Sequence, residues 1–374
     1  MHPETLALHS TPFEDKNASA VVPPIYLSTT YERDEAYELP QGYLYTRAGN
    51  PNRQQLEQTL AALEGGAEAL AFASGQAATL ALLQCLKPGD HVLVPDDAYY
   101  GTPSLLQDFM NTWGLSFTKV DTTQPAEIVS ALRPATRLIW LETPSNPLLK
   151  VTDLRAAAAI AREHGAISVC DSTWATPLLQ RPLDLGCDAV MHSTTKYLSG
   201  HSDVLGGALI FKESGELATR ARQIQTLGGA VPSPFDCWLV SRGIKTLAVR
   251  VRQQAANALA LAEFLEKHSA VERVHYPGLK SHAGYAIARR QMSLAGGMLS
   301  VQIRGGAEDA LRFMKKLQLF TMATSLGGVE SLIEHRASVE GPDTLTPQNL
   351  LRVSVGLEHV DDLIGDMAQA LAGL

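Results

Sequence analysis

A chain of 374 residues exceeds the size at which one apolar core keeps growing, which predicts a large domain joined by a smaller one. Its 45% hydrophobic and 19% charged residues read as those of an ordinary globular protein, neither disordered nor membrane-spanning. A formal net charge of -8 argues against the basic footprint that nucleic acid or an anionic membrane requires, so small molecules are the expected partners.

Residues 1–20 show no basic segment followed by an apolar one, and no stretch is apolar for the length a bilayer demands; a cytoplasmic location is the resulting expectation. Residues 1–50 hold Pro23-Pro24, Gly42 and Gly49 with little periodicity. Such an arm cannot build its own core and is expected to lie against a neighbouring subunit. Asn50-Pro51 then places a good cap before a proline at the first helical position, and Leu56, Leu60 and Leu63 follow at helical spacing.

From about residue 66 to 211, short apolar runs alternate with helical patterns. Strands are predicted at 67–73, 91–95, 115–120, 137–142, 166–171, 187–192 and 206–211, with an Ala-rich helix at 152–164 between them. Seven such runs predict an α/β fold with a wide, mostly parallel, doubly wound sheet spanning 51–242. After Phe235 a long helical pattern runs to about Lys267, and strands are predicted at 271–276, 298–303 and 351–355, which gives 243–374 the texture of a smaller α+β C-terminal domain. The four cysteines, Cys85, Cys170, Cys187 and Cys237, form no Cys-x-x-Cys pair; free buried thiols are expected and no metal.

In a doubly wound sheet, ligands sit beyond the carboxyl ends of the strands, so polar residues that end apolar runs are where chemistry is sought. Ala73-Ser74-Gly75-Gln76 turns a strand into a helix and offers backbone N–H groups to an anion, making Gly75 and Gln76 candidates for a phosphate cradle; taken alone, a glycine at such a turn is more often plain turn chemistry. Asp171 ends the 166–171 strand, where a buried carboxylate can hold a heteroaromatic nitrogen protonated or can simply cap the following turn. Ser193-Thr194-Thr195-Lys196 follows the next strand. Its hydroxyls can donate to phosphate oxygens while Lys196 forms an imine with a carbonyl cofactor; a solvated lysine is the bland alternative. Tyr99, after the 91–95 strand, offers a ring to stack on a planar ligand and a phenolic proton.

The ordered set Ser74-Gly75-Gln76, Tyr99, Glu142-Thr143-Pro144-Ser145-Asn146-Pro147, Asp171-Ser172-Thr173-Trp174 and Ser193-Thr194-Thr195-Lys196-Tyr197-Leu198-Ser199-Gly200 closely resembles the Cys/Met-metabolism family of fold-type I pyridoxal-phosphate (PLP) enzymes. Tyr45-Thr46-Arg47, Ser325-Leu326-Gly327-Gly328 and Leu351-Arg352-Val353-Ser354 extend the resemblance over nearly the whole chain. It implies that Lys196 carries the cofactor and shuttles protons, that Asp171 pairs with the pyridine nitrogen, and that Tyr99 stacks on the ring and serves as acid or base once its pKa is lowered. It further implies that Thr173 packs beneath the ring, that Gly75, Gln76, Ser193 and Thr195 hold the phosphate with Tyr45 and Arg47 of a neighbouring subunit, and that Arg352, Asn146 and Ser325 form the substrate pocket. A homotetramer built as a dimer of dimers is implied, as is elimination at the β or γ carbon of a cystathionine-type sulfur amino acid, with γ-replacement on an O-acylated homoserine as the alternative.

Several positions depart from the family's subtypes. Leu44 and Thr324 stand where members that handle cystathionine by γ-chemistry commonly carry acids, Gly101 where methionine γ-lyases have cysteine, and Leu326 where one branch of β-lyases has tryptophan. The stretch 334–340 also departs from the usual pattern, and its His335 and Arg336 are open to two readings, binding of an acidic substrate tail or structural ion pairing. A nicotinamide oxidoreductase shares the architecture, but no Gly-x-Gly-x-x-Gly opens a helix after a strand. A non-catalytic binding protein is opposed by the joint presence of Lys196, Asp171, Tyr99 and Arg352.

Overall fold

Apolar, β-branched runs give strands buried on both faces: every residue of His91–Pro95 and of Gly207–Phe211 is buried, as a sheet covered by helices on two sides requires. The computed structural model describes residues 1–11, 18–340 and 344–372. The strands are β1 Glu68–Phe72, β2 His91–Pro95, β3 Ser116–Val120, β4 Thr136–Glu142, β5 Ile167–Asp171, β6 Ala189–His192 and β7 Gly207–Phe211, in the order β1-β7-β6-β5-β4-β2-β3. Only β7 runs against its neighbours, and β2 through β6 are parallel. All seven expected strands lie within two residues of these bounds. Because the parallel strands end on one edge, the segments after Pro95, Glu142, Asp171 and His192 meet there.

Helix ends follow local chemistry. Asn50 caps Pro51–Glu64 by accepting from the N–H groups of Asn52 and Arg53, and Gly65 closes that helix in the left-handed conformation, φ 72°. Ser74 caps Gly75–Leu83, and Asp153 caps Leu154–Glu163.

The C-terminal part carries a second sheet of β8 Val271–His275, β9 Met298–Ile303, β10 Thr321–Met322, β11 Leu332–His335 and β12 Leu350–Ser354, in the order β10-β11-β12-β9-β8. Leu299, Phe313, Ile333 and Val353 pack its own apolar core. Another core cluster draws on both parts, with Leu56, Tyr197, Val251 and Met298 among its members.

Three expectations need correction. The helical pattern after Phe235 is two helices, Pro234–Ile244 and Leu247–Glu266, because the backbone leaves helical values at Thr246, φ -107° and ψ 5°. The arm contains a short helix, Pro3–His9, anchored by buried Ala7 and a Glu4–Arg252 ion pair. Strands β10 and β11 escaped notice: β10 has two exposed residues, and β11 carries Glu334 and His335, which read as surface residues yet are buried. The four cysteines are free, and burial pushes the Cys187 thiol up to about 12. Among the described residues no helix is long and apolar enough to cross a membrane.

Candidate active site

The segment after β6 folds into a tight turn in which Ser199 N–H donates to Thr194 O and Gly200 N–H to Lys196 O. Tyr197 and Leu198 are buried, and Arg250, on Leu247–Glu266, donates to Tyr197 O at 2.9 Å and Gly243 O at 2.8 Å, pinning the turn from behind. Lys196 is thereby left to enter a cavity of about 380 Å3 that Gly75, Tyr99, Asp171, Ser325 and Arg352 also line. Its Nζ donates to Ser325 Oγ at 2.8 Å. Burial first, and then the nearby Arg352, bring the Lys196 ammonium down to about 8; Glu334 opposes this and Arg336 adds to it. Ser325 holds its hydroxyl there with φ at 90°, a conformation costly for a residue with a Cβ.

Asp171 closes β5 with its carboxylate on the cavity side, and Thr173 N–H donates to Oδ1 at 2.9 Å. Burial pushes its carboxyl above the usual range, while Thr173 and the more distant His192 pull the other way. Thr173 Oγ1 in turn accepts from Ser193 N–H at 2.9 Å, which fixes the turn after β5 to the turn after β6. His192 lies on the opposite face of the sheet, since side chains alternate along β6 and Met191, not His192, lines the cavity. There it bonds Glu64 Oε1 at 2.6 Å, both side chains fully enclosed.

Gly75, Gln76, Ser193 and Thr195, the residues expected to hold an anion, line the same cavity. The helix Gly75–Leu83 starts at the cavity with Ser74 Oγ accepting from Ala77 N–H at 3.0 Å. A Cβ on Gly75 would come within 3.1 Å of Ser193 Cβ, and one on Gly207 within 2.2 Å of Ser74 O, so both glycines permit close approach. Ser193 Oγ makes no hydrogen bond among the described residues, which leaves it available. Thr195 is different: its hydroxyl donates to Gly206 O at 3.1 Å and accepts from Gly206 N–H at 2.9 Å. It lines the cavity while its proton is engaged in holding the loop.

Tyr99 is placed by Glu142, whose two carboxylate oxygens accept from Tyr99 N–H at 3.1 and 2.9 Å. In the chain itself the phenol is pushed up, by burial first and then by Tyr100, with Arg336 opposing. The chain itself therefore does not give Tyr99 the lowered pKa expected of it, since Arg336 opposes the rise without reversing it. Arg352, in β12, donates to Glu334 Oε2 at 2.6 Å, to Asn146 Oδ1 at 3.2 Å and to Ser325 O at 3.2 Å.

Tyr45 and Arg47 do not reach the cavity within one chain. Tyr45 is 42% exposed, and Arg47 donates to Thr226 O while lying over the Tyr45 ring. His335 bonds Ser338 Oγ at 2.6 Å and Gln348 O at 2.7 Å, a structural role that leaves it no free nitrogen for a substrate tail.

Residues 4–372 match the model of a family described as Cys/Met metabolism PLP-dependent enzyme. The chain belongs to this family. Cystathionine gamma-synthase of Mycobacterium bovis is 48% identical over 375 residues, covering 99% of this chain and 96% of that protein. Cystathionine beta-lyase of Coxiella burnetii is 44% identical over 379 residues, covering 99% and 98%. The crystal structure of metB from Corynebacterium glutamicum superposes with a TM-score of 0.97 at 44% identity, covering 100% of this chain and 98% of that one.

Members of the family use PLP, and the residues present fit it. A helix N-terminus with a glycine where a Cβ would crowd Ser193, an unengaged Ser193 hydroxyl, and a buried carboxylate short of a cationic partner suit a phosphate at one end of the ligand and a protonated ring nitrogen at the other. Three residues that position this site were given no role from sequence: Glu142 and Glu334, which stood only within longer stretches, and Arg250. Glu142 had a legible signal, since it ends β4 as Asp171 ends β5. Glu334 and Arg250 act across the fold, and nothing local marks them.

Proposed function

We propose that the chain cleaves a carbon–sulfur bond at the β or γ carbon of a cystathionine-type amino acid. The observation that carries this is the convergence of Lys196, Asp171, Tyr99 and Arg352 on one cavity. Arg352 grips the substrate α-carboxylate through its planar fork, with Asn146 and Ser325 setting its angle. PLP, when bound, supplies the electron sink for the charge left at Cα. Lys196 Nζ takes the proton from Cα, and for chemistry at Cγ it takes a second from Cβ. Ser325 Oγ holds the amine on line between these tasks. Tyr99 protonates the departing sulfur. Asp171 would pair with the ring nitrogen and favour its charged form, Gly75, Gln76 and Ser193, with Thr195 behind them, would hold the phosphate, and Thr173 would pack against the ring.

Product analysis with L-cystathionine tests the reading. Pyruvate with homocysteine marks β-cleavage, and 2-oxobutyrate with cysteine marks γ-cleavage. A colourless protein that forms neither when supplied with PLP would refute it.

A second reading, γ-replacement on an O-acylated homoserine with cysteine as nucleophile, is favoured by the 48% identity to a cystathionine gamma-synthase across almost the full chain. Cystathionine formed from those two substrates distinguishes it.

Apart from the helix Pro3–His9, anchored on its own chain, we assign the arm of residues 1–50 to contact with a neighbouring subunit, with 51–242 as the PLP-binding domain and 243–374 as the C-terminal domain. Val21, Leu27, Tyr37, Leu44 and Tyr45 are exposed along the arm, more apolar surface than an isolated segment carries without cover. Tyr45 and Arg47 then complete the phosphate site of the partner within a homotetramer. Four free thiols, three of them buried and Cys85 partly so, suit a reducing compartment and support a cytoplasmic location.

A further inference from the structure

A line of alternating charges runs along one wall of the cavity. Arg352 Nη2 and Arg336 Nη1 donate to the same oxygen of Glu334, at 2.6 and 2.8 Å. Arg336 then turns Nε and Nη2 to Glu340 Oε1, at 3.2 and 2.7 Å, and Glu340 Oε2 accepts from the hydroxyls of Thr344 and Thr346 at 2.5 and 2.6 Å. Arg336 is 2% exposed, so these bonds, not solvent, set the direction of its guanidinium.

A guanidinium has five N–H groups. Three of those on Arg336 go to carboxylates, leaving one on Nη1 and one on Nη2 without an acceptor among the described residues. The side chain lines the same cavity as Lys196, with Cζ 5.7 Å from the Tyr100 ring centroid. Tyr100 and Asn146 also line a neighbouring cleft of about 660 Å3, as does Glu340, the ion-pair partner of Arg336, so Arg336 stands on the side of the cavity that borders this cleft. Leaving buried donors unmet is costly, and a buried cation is best met by an anion. Thr324, on the same cavity, and the exposed Leu44 carry no negative charge, and the one unmet acceptor of this wall among the described residues, Glu334 Oε1, stands against two unmet N–H groups of Arg336. The wall therefore favours an incoming carboxylate over an incoming ammonium.

We propose that Arg336 is a specificity-determining residue that receives a carboxylate at the far end of the substrate side chain, so that the site selects amino acids with two carboxylates. The α-carboxylate goes to Arg352, and Glu334 keeps the two guanidinium groups one oxygen apart without letting either claim both anions. The inference rests on reading the cavity as an amino-acid site, as proposed above.

The test is equilibrium binding to the PLP-loaded protein, followed by the change in visible absorbance, of two unreactive amino acids of equal length. L-2-aminoadipate ends in a carboxylate and L-norleucine in a methyl group. The wild-type protein should bind aminoadipate at least about tenfold more tightly, the scale of one charge-assisted pair. Arg336→Gln should remove that preference while changing norleucine affinity less than about twofold, and Arg336→Lys should retain part of it. Equal affinities in the wild-type protein, or an equal loss for both ligands in Arg336→Gln, would overturn the proposal. Should that variant not fold, Arg336→Gln combined with Glu340→Gln removes both ends of the ion pair and is read against the same two outcomes. Discrimination without cystathionine cleavage would retire the lyase reading and leave this one standing.

Discussion

Arg352 and Glu334 face each other across the β11–β12 ladder as directly paired residues, and Nη2 of the arginine lies 2.6 Å from the carboxylate. A buried guanidinium held this way has one edge fixed and another to offer. Arg352→Lys should keep the charge and lose the fork, raising KM for cystathionine about tenfold or more while the bound cofactor's visible absorbance stays. Steady-state kinetics with a parallel absorbance spectrum checks it; an unchanged KM would remove Arg352 from substrate binding.

The Lys196 amine is brought down to about 8 by burial and by Arg352, from an ordinary value of 10.5. Only the neutral amine attacks the aldehyde of PLP. Capture of PLP by the apoprotein should therefore accelerate as pH rises and level off above about 8, more than two pH units earlier than for a solvated lysine. Stopped-flow absorbance across pH 6 to 10 reads this directly. Borohydride reduction should fix the phosphopyridoxyl mass to the peptide that contains Lys196, and Lys196→Ala should abolish the labelling.

Asp171→Asn keeps an acceptor for Thr173 N–H and removes the negative charge. A neutral side chain cannot hold the ring nitrogen protonated, so kcat should fall by about two orders of magnitude or more, and cofactor affinity should weaken. An Asp171→Asn enzyme with ordinary kcat would reduce the carboxylate to a turn cap.

Glu64 and His192 form an enclosed pair on the face of the sheet turned away from the cavity. Removing one partner leaves the other buried without its hydrogen bond, so Glu64→Ala should destabilise the protein by about 3 kcal/mol in urea unfolding. Cofactor absorbance of the folded fraction should be unaltered. Loss of absorbance without loss of stability would place the pair in the catalytic machinery instead.

Much of this architecture is legible in the chain. Seven apolar runs with turn residues between them predict seven strands, since burial on both faces demands continuous apolarity. The edge where β2, β4, β5 and β6 end predicts where Tyr99, Asn146, Asp171 and Lys196 gather. What escapes is whatever depends on partners distant in sequence. Glu334 in β11 reads as a surface residue, yet two arginines, one of them 18 residues away, neutralise it inside the protein. Thr195 reads as a phosphate donor, yet its proton is held by Gly206 O. Tyr45 and Arg47 stay outside the cavity of their own chain, one exposed and the other bonded to Thr226 O, a placement that no local pattern announces.

Ser325 sets two demands against each other at one residue. Its backbone, at φ 90°, is one that glycine adopts freely and serine adopts at a cost, while its hydroxyl is the atom that receives Lys196 Nζ. Relaxing the chain there with glycine would surrender the amine's docking point, and retaining serine keeps the segment under tension beside the reacting atoms. Efforts to harden this protein against heat should therefore leave position 325 alone, because relief of strain and competence for turnover are opposed at that residue.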